Sequence, residues 1–302
     1  MAAYDFVTLD VFAERRFGGN PLAVFPEATG LDASAMQALA REFNLSETAF
    51  VLPPADPAHA ARVRIFTPGG ELPFAGHPTV GTGFVLAGRD PARPDRLTLE
   101  VEAGLVPVEI LRNPDGTATG AEIEAPRALA LSEAVPTDLV AACAGLPADA
   151  VRTETHYPLV ASVGTGFIVV ELTDRDALAA AGPDIVAFRH AAARISDLPP
   201  RFGVHLYVRD PADPVRLHTR MFSPLDGIPE DPATGSANAA LAALLVSLAP
   251  GEDVTLAFDI AQGVEMGRPS RLVASARKTA EDAIIARIGG GCIPVSRGTV
   301  EL

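Results

Sequence analysis

Apolar positions recur along this chain with two periods. Over residues 4–12 (Tyr-Asp-Phe-Val-Thr-Leu-Asp-Val-Phe) they alternate, as in a strand with one covered face. Residues 17–24 (Phe-Gly-Gly-Asn-Pro-Leu-Ala-Val) form a glycine-rich turn into a second predicted strand. Over residues 32–43 the spacing becomes three or four, at Ala35, Met36, Leu39, Ala40 and Phe43, which predicts a helix capped by Asp32. Residues 49–52 predict a buried strand with Glu47 at its lip. Strands are expected at 97–102, 106–111 and 121–124, with polar turns such as Asn113-Pro-Asp-Gly116 between them. Residues 125–136 mix proline with alanine and leucine and predict a domain joint. Beyond it, helices are expected at 136–144 and 184–193. Strands are expected at 156–163, 165–172, 204–209, 254–259, 264–267, 271–276 and 283–288.

Two runs, 75–88 and 233–250, carry no charge and are apolar all round, the signature of a helix inside a core. Each follows the same approach. Arg64-Ile-Phe-Thr-Pro precedes the first run and Arg220-Met-Phe-Ser-Pro the second, and at this constant offset Pro73 matches Pro229. A repeat at about half the chain length predicts a duplicated domain. Many short strands and two apolar helices make the fold class α+β, each half a curved sheet wrapped around one helix. The domains expected are 1–127 and 128–302, the last strand being free to return to the first.

The small-residue loops before the two runs, Gly76-His77-Pro78-Thr79 and Pro232-Ala233-Thr234-Gly235-Ser236, either turn strand into helix or offer bare helical N–H groups to a carboxylate or oxyanion. Other candidates carry a similar choice. Asn20, before Pro21, is a turn former or a polar group aimed at a ligand. His77 is a structural histidine or a ligand contact. Glu47, beside apolar neighbours, is a base of raised pKa or a solvated or arginine-paired carboxylate.

Composition narrows the classes. A net charge of −14 argues against nucleic acid and anionic membrane surfaces as partners. Two distant cysteines, Cys143 and Cys292, predict a reducing compartment without a disulfide framework. The start lacks a basic region and an apolar core, so no signal peptide is expected, and the longest apolar run is too short to span a bilayer. A soluble cytoplasmic protein is the expectation. No Gly-x-x-x-x-Gly-Lys-Ser/Thr, Gly-x-Gly-x-x-Gly or Gly-x-Ser-x-Gly occurs, and the six histidines show no zinc-ligand spacing.

Taken together, Asp10-Val-Phe, Gly19-Asn-Pro-Leu-Ala-Val24, Leu45-Ser-Glu-Thr-Ala-Phe50, Phe74-Ala-Gly-His-Pro-Thr79 and Glu230-Asp-Pro-Ala-Thr-Gly-Ser-Ala237 resemble the PhzF family of phenazine-biosynthesis-like isomerases. Residues 288–295 and 298–300 resemble that family's closing strands. The resemblance implies the fold of diaminopimelate epimerase and proline racemase: two pseudo-symmetric domains, each a β-barrel-like sheet around a central helix, with the active site between them. It implies a homodimer and isomerisation of a dihydro-hydroxyanthranilate, a proton moved between ring carbons. The family's catalytic glutamate maps onto Glu47, its glycine-histidine pair onto Gly76 and His77, and its aspartate and glycine-serine pair onto Asp231, Gly235 and Ser236. The racemase relatives use a cysteine at each helix start. Neither loop carries one here, so a two-thiol mechanism is excluded. The expectation is therefore a cofactor-independent isomerase of a small carboxylate. Glu47, His77 and Asp231 are its catalytic residues, Asn20, Gly76, Gly235 and Ser236 bind substrate, and no metal takes part. The alternatives are a non-catalytic small-molecule binder on the same fold, or a racemase or epimerase.

Overall fold

The computed structural model describes residues 2–90, 93–195, 198, 202–279 and 283–302. The chain divides into two units, Met1–Glu124 with Gly289–Leu302, and Ala125–Ile288. The first holds β1 (Ala3–Val11), β2 (Asn20–Phe25), α1 (Ala33–Phe43), β3 (Glu47–Leu52), β4 (Ala61–Thr67), β5 (Gly70–Leu72), α2 (Gly76–Arg89), β6 (Arg96–Val101), β7 (Gly104–Arg112) and β8 (Ala118–Glu124). The second holds β9 (Ala130–Ala134), α3 (Thr137–Cys143), β10 (Leu159–Ser162), β11 (Gly166–Glu171), α4 (Arg175–Ala180), α5 (Ile185–Arg194), β12 (Gly203–Asp210), β13 (Asp213–Ser223), β14 (Ile228–Asp231), α6 (Gly235–Leu248), β15 (Val254–Gln262) and β16 (Ser270–Lys278). A final long strand, β17 (Ile285–Glu301), begins in the second unit and ends in the first.

In the first unit the strands run β1–β2–β3–β4–β6–β7–β8–β17, and β17 pairs back with β1, so the described strands close an eight-membered barrel. The β2–β3 and β4–β6 pairs are parallel. The second unit repeats this succession as β10–β11–β12–β13–β15–β16, with β9 beside β10 and with parallel pairs at the same places, β11–β12 and β13–β15. Both short strands, β5 and β14, hang on the repeat strands β4 and β13.

The helices built on the two charge-free runs, α2 and α6, are the cores. In α2, a Cβ on Gly81 would lie 2.5 Å from a Leu22 methyl and one on Gly83 2.6 Å from a Val108 methyl, so glycine lets the helix approach the barrel wall. In α6, small and aliphatic residues from Ala237 to Val246 are buried on every side. Outside the barrel, α1 is capped as predicted, Asp32 accepting from Ala35 N at 2.8 Å, and packs Met36, Leu39 and Ala40 on Phe25, Phe50 and Phe66. Among the described residues no helix is long and apolar enough to cross a membrane.

Several local expectations need correction. Residues 264–267 form a turn instead of a strand, closed by Gly267 N to Val264 O and Arg268 N to Gly263 O. Gly263 and Gly267 both take positive φ there, and Val264 and Met266 are exposed, so the apolar pattern did not record burial. The expected strand at 283–288 opens the much longer β17, and the exposed strand β9 lies within 125–136, the stretch where the second unit begins. Neither loop of the repeat is a separate turn in full, because Gly76 and Gly235 are already the first helical residues.

The repeat itself shifts register. At β4 and β13 the offset is 156 residues, but Ile65 pairs with Leu72 while Met221 pairs with Asp231, so the second turn is longer. Gly76 and Gly235 start helices of equal length at the resulting offset, which aligns Pro73 with Pro232 and not with Pro229. The repeated arginines are structural forks: Arg64 grips Glu71 at 2.7 and 2.6 Å above Phe66, and Arg220 grips Glu230 at 2.8 and 2.8 Å above Phe222.

Candidate active site

In the first unit, one end of the barrel gathers residues from three elements. Asn20 opens β2, Glu47 opens β3 opposite Leu22, and His77 is the second residue of α2. Asn20 is wholly buried, and its Oδ1 accepts from Ser46 Oγ at 3.3 Å. The segment leading to it is sharply folded. Phe12 and Phe17 both hold positive φ, Phe17 N donates to Asp10 Oδ2 at 2.6 Å, and Gly19, also at positive φ, lies so close that a Cβ would meet Val11 O at 2.4 Å. Asp10 and Gly19 therefore shape the turn that delivers Asn20.

His77 Nε2 lies 3.3 Å from Glu47 Oε2. Burial drives the His77 pKa down to about 3, opposed by a hydrogen bond to the backbone of Pro21. Proline has only a carbonyl to offer, so the ring donates there, and because Nε2 makes no hydrogen bond the donor is Nδ1–H. His77 is thus a neutral imidazole whose Nε2 lone pair faces the Glu47 carboxyl. Asx or Ser/Thr capping is absent at the helix start: the N-cap is Ala75, and Pro78 has no N–H. The backbone donors of that first turn are those of Gly76 and His77. A cavity of about 610 Å³ opens at the other end of this barrel, among Phe84, Arg89, Pro294 and Arg297, away from these groups.

The second unit carries a different set at its own helix start. Asp231, the last residue of β14, is buried, and Thr234 Oγ1 donates to its Oδ2 in a short hydrogen bond. Gln262 Nε2 donates to Asp231 O at 2.8 Å and to Thr234 Oγ1 at 3.1 Å, while its Oε1 accepts from Thr234 N at 3.1 Å and Asn238 Nδ2 at 2.7 Å. Asn238 in turn donates to Thr234 O at 3.0 Å and meets His205 Nε2 at 3.1 Å. Burial lowers the His205 pKa to about 4, so this ring too is neutral. Gly235 is buried, and Ser236 is the partly exposed residue of the first helical turn.

The structure therefore brings Asn20, Glu47, Gly76 and His77 together in one unit and Asp231, Gly235 and Ser236 together in the other. Sequence reasoning missed Ser46, the Pro21 carbonyl, Gln262, Asn238 and His205. One signal was visible: Asn238 is a large amide inside an otherwise aliphatic buried run. Cys143 lies on α3 and Cys292 on β17, both buried, and burial raises the first thiol to about 12 and the second further still. Neither is a thiolate at neutral pH. Among the described residues, no three His, Cys, Asp or Glu side chains group to hold a metal ion.

The aligned repeat shows how the units differ. Thr48 pairs with Phe66 as Val204 pairs with Phe222, so the counterpart of Glu47 is Gly203, whose space is taken by Phe167 and Met221. The counterpart of His77 is Ser236, and that of Asp231 is Leu72.

A family model described as phenazine biosynthesis-like protein, PhzC-PhzF, matches residues 9–298. An uncharacterised isomerase of Mesorhizobium japonicum is 39% identical over 99% of both chains. The trans-2,3-dihydro-3-hydroxyanthranilate isomerase of Pseudomonas aeruginosa is 37% identical, covering 98% of this chain and 99% of its own. A PhzF family protein of Bacillus anthracis superposes with a TM-score of 0.87 at 26% identity, covering 100% of each chain. A hydroxyproline epimerase of Agrobacterium vitis shares the fold at a TM-score of 0.63 and 17% identity, covering 99% of this chain and 93% of its own. With its repeated sheet-and-helix units, its buried helix starts and this match over nearly its whole length, the chain belongs to the PhzF family of phenazine biosynthesis-like proteins and is an isomerase.

Proposed function

We propose that the chain moves one proton between two carbons of a small carboxylate substrate, with Glu47 as base and then acid, and needs no cofactor. The observation that carries this reading is the asymmetry of the repeat: Glu47 beside the neutral His77 in one half, Gly203 at the same position in the other. A racemase of this architecture needs a base from each half, and the buried, protonated thiols supply none.

The chemistry balances with one carboxylate. Glu47 takes a proton from a substrate C–H bond, and the electron pair spreads into the conjugated acid as an enolate-like charge. Backbone donors at Gly76, His77, Gly235 and Ser236 are placed in this reading to bind the substrate carboxylate or that charge. The protonated Glu47 donates to the His77 Nε2 lone pair, which holds the acid in place, and then delivers the proton to the second carbon. Asn20 and Asp231 hold the substrate's polar groups. The substrate in this reading is trans-2,3-dihydro-3-hydroxyanthranilate or a close analogue, as for the Pseudomonas relatives. A cytoplasmic homodimer belongs to the same reading, and light scattering measures its subunit number.

A single turnover of trans-2,3-dihydro-3-hydroxyanthranilate in heavy water, read by mass spectrometry, tests the shuttle. A lone carboxylate in a site closed to water returns some of the substrate's own hydrogen to the product. Complete deuteration with inversion at one carbon would establish two bases and overturn the reading.

A further inference from the structure

We propose that Thr234 and Gln262 form a positioning relay that holds Asp231 ionised and in one orientation. This rests on the proposed role of Asp231 toward the substrate. The direction of each hydrogen bond follows from the groups at its ends. Asp231 O can only accept, so the Gln262 atom 2.8 Å from it is the amide nitrogen, and Thr234 N can only donate, so its Gln262 partner at 3.1 Å is the oxygen. The amide of Gln262 is therefore oriented by the backbone at both ends. Its Nε2 has no lone pair and lies 3.1 Å from Thr234 Oγ1, so the hydroxyl must accept there. The single Thr234 proton is left for Asp231 Oδ2, the short contact observed.

A buried carboxyl is pushed toward its neutral form, and a hydroxyl that donates to it favours the charged form. The relay thus counters the burial of Asp231, which is 7% exposed. The other half of the molecule shows that the set was built as a unit. Ala61 pairs with Leu99 as Leu217 pairs with Ile260, so Gln262 has Val101 as its counterpart, while Thr234 has Ala75 and Asp231 has Leu72. All three polar positions are apolar in the unit that carries Glu47. Nearby, Arg220 and Glu230 grip one another, His205 is a buried neutral ring joined through Asn238, and Ser270 Oγ donates to Pro232 O and Arg268 O.

The test reads the Asp231 carboxyl directly by carbon NMR titration, its signal identified by its loss in Asp231→Asn. Thr234→Val should raise the titration midpoint by about one pH unit, a tenfold gain in proton affinity, and Thr234→Ser should restore it. Thr234→Ala, which copies Ala75 of the first unit, is the second variant should valine fail to fold. Gln262→Met should give a smaller rise, because the hydroxyl is then free to turn. The acid limb of turnover of trans-2,3-dihydro-3-hydroxyanthranilate should move with the midpoint. A midpoint unmoved in folded Thr234→Val or Thr234→Ala overturns the relay. Full activity in Asp231→Asn would instead overturn the role of Asp231 and leave the titration to decide the relay.

Discussion

Glu47 and His77 show how little separates a structural pair from a reactive one. The imidazole is buried, spends its Nδ1–H on the Pro21 carbonyl and turns a lone pair toward a carboxyl 3.3 Å away. Glu47→Gln keeps the shape but cannot accept a proton. Turnover should fall by at least about a hundredfold while ligand binding, measured by calorimetry, stays within a few fold. Unchanged turnover would remove Glu47 from the chemistry. Glu47 was legible as a candidate because a lone carboxylate stood before an apolar strand. Its partner was not, since the approach of a helix start to a strand start is a tertiary fact.

At the scale of elements, the repeated arginine forks and the central helices carry the stability. Arg220 is the more buried of the two forks, and its Nη1 also donates to Leu178 O at 3.0 Å and Ala181 O at 2.6 Å, tying α4 to β13. Arg220→Met leaves Glu230 and those carbonyls without their donor and should cost about 3 kcal/mol or more in urea denaturation. Arg64→Met, in the more exposed fork, should cost about 1 kcal/mol. Along α2 the glycines divide by surroundings. Gly81→Val drives methyl groups into Leu22 and Val11 and should destabilise by about 2 kcal/mol. At Gly88 nothing lies within 4 Å of an added Cβ, so Gly88→Ala should stabilise by up to about 1 kcal/mol. Thermal melts of both variants check the signs. The repeat motif was legible in the sequence, but its residues prove to be braces for each half.

For the whole molecule, acid sensitivity follows in part from two deeply buried neutral histidines, His77 and His205. His77 and His205 titrate near 3 and 4 in the fold, against about 6.5 in an unfolded chain. Below about pH 6.5 the unfolded chain binds protons that the folded one refuses, so stability is full above that value and is lost as pH falls toward 4. Each ring contributes about 1.4 kcal/mol per pH unit across that window. His205→Gln keeps a donor for Asn238 and should flatten the fall in urea midpoint between pH 6.5 and 4.5; an unchanged slope would show that His205 carries no part of it.

The α+β class, the duplication, the two core helices and the candidate residues at their starts were all legible in the order of residues. Those features are local: periodicity, absence of charge, small residues before an apolar run. The register of the repeat was not legible there, because a longer turn between β13 and β14 is invisible until strand pairing shows which residues face each other. The same pairing turned a list of polar residues into two unlike halves, one with Glu47 where the other has Gly203, one with Asp231, Thr234 and Gln262 where the other has Leu72, Ala75 and Val101. Gln262 illustrates the reason. In the chain it is one uncharged side chain at the end of a strand, and its five hydrogen bonds exist because β15 lies beside β13 and against the start of α6.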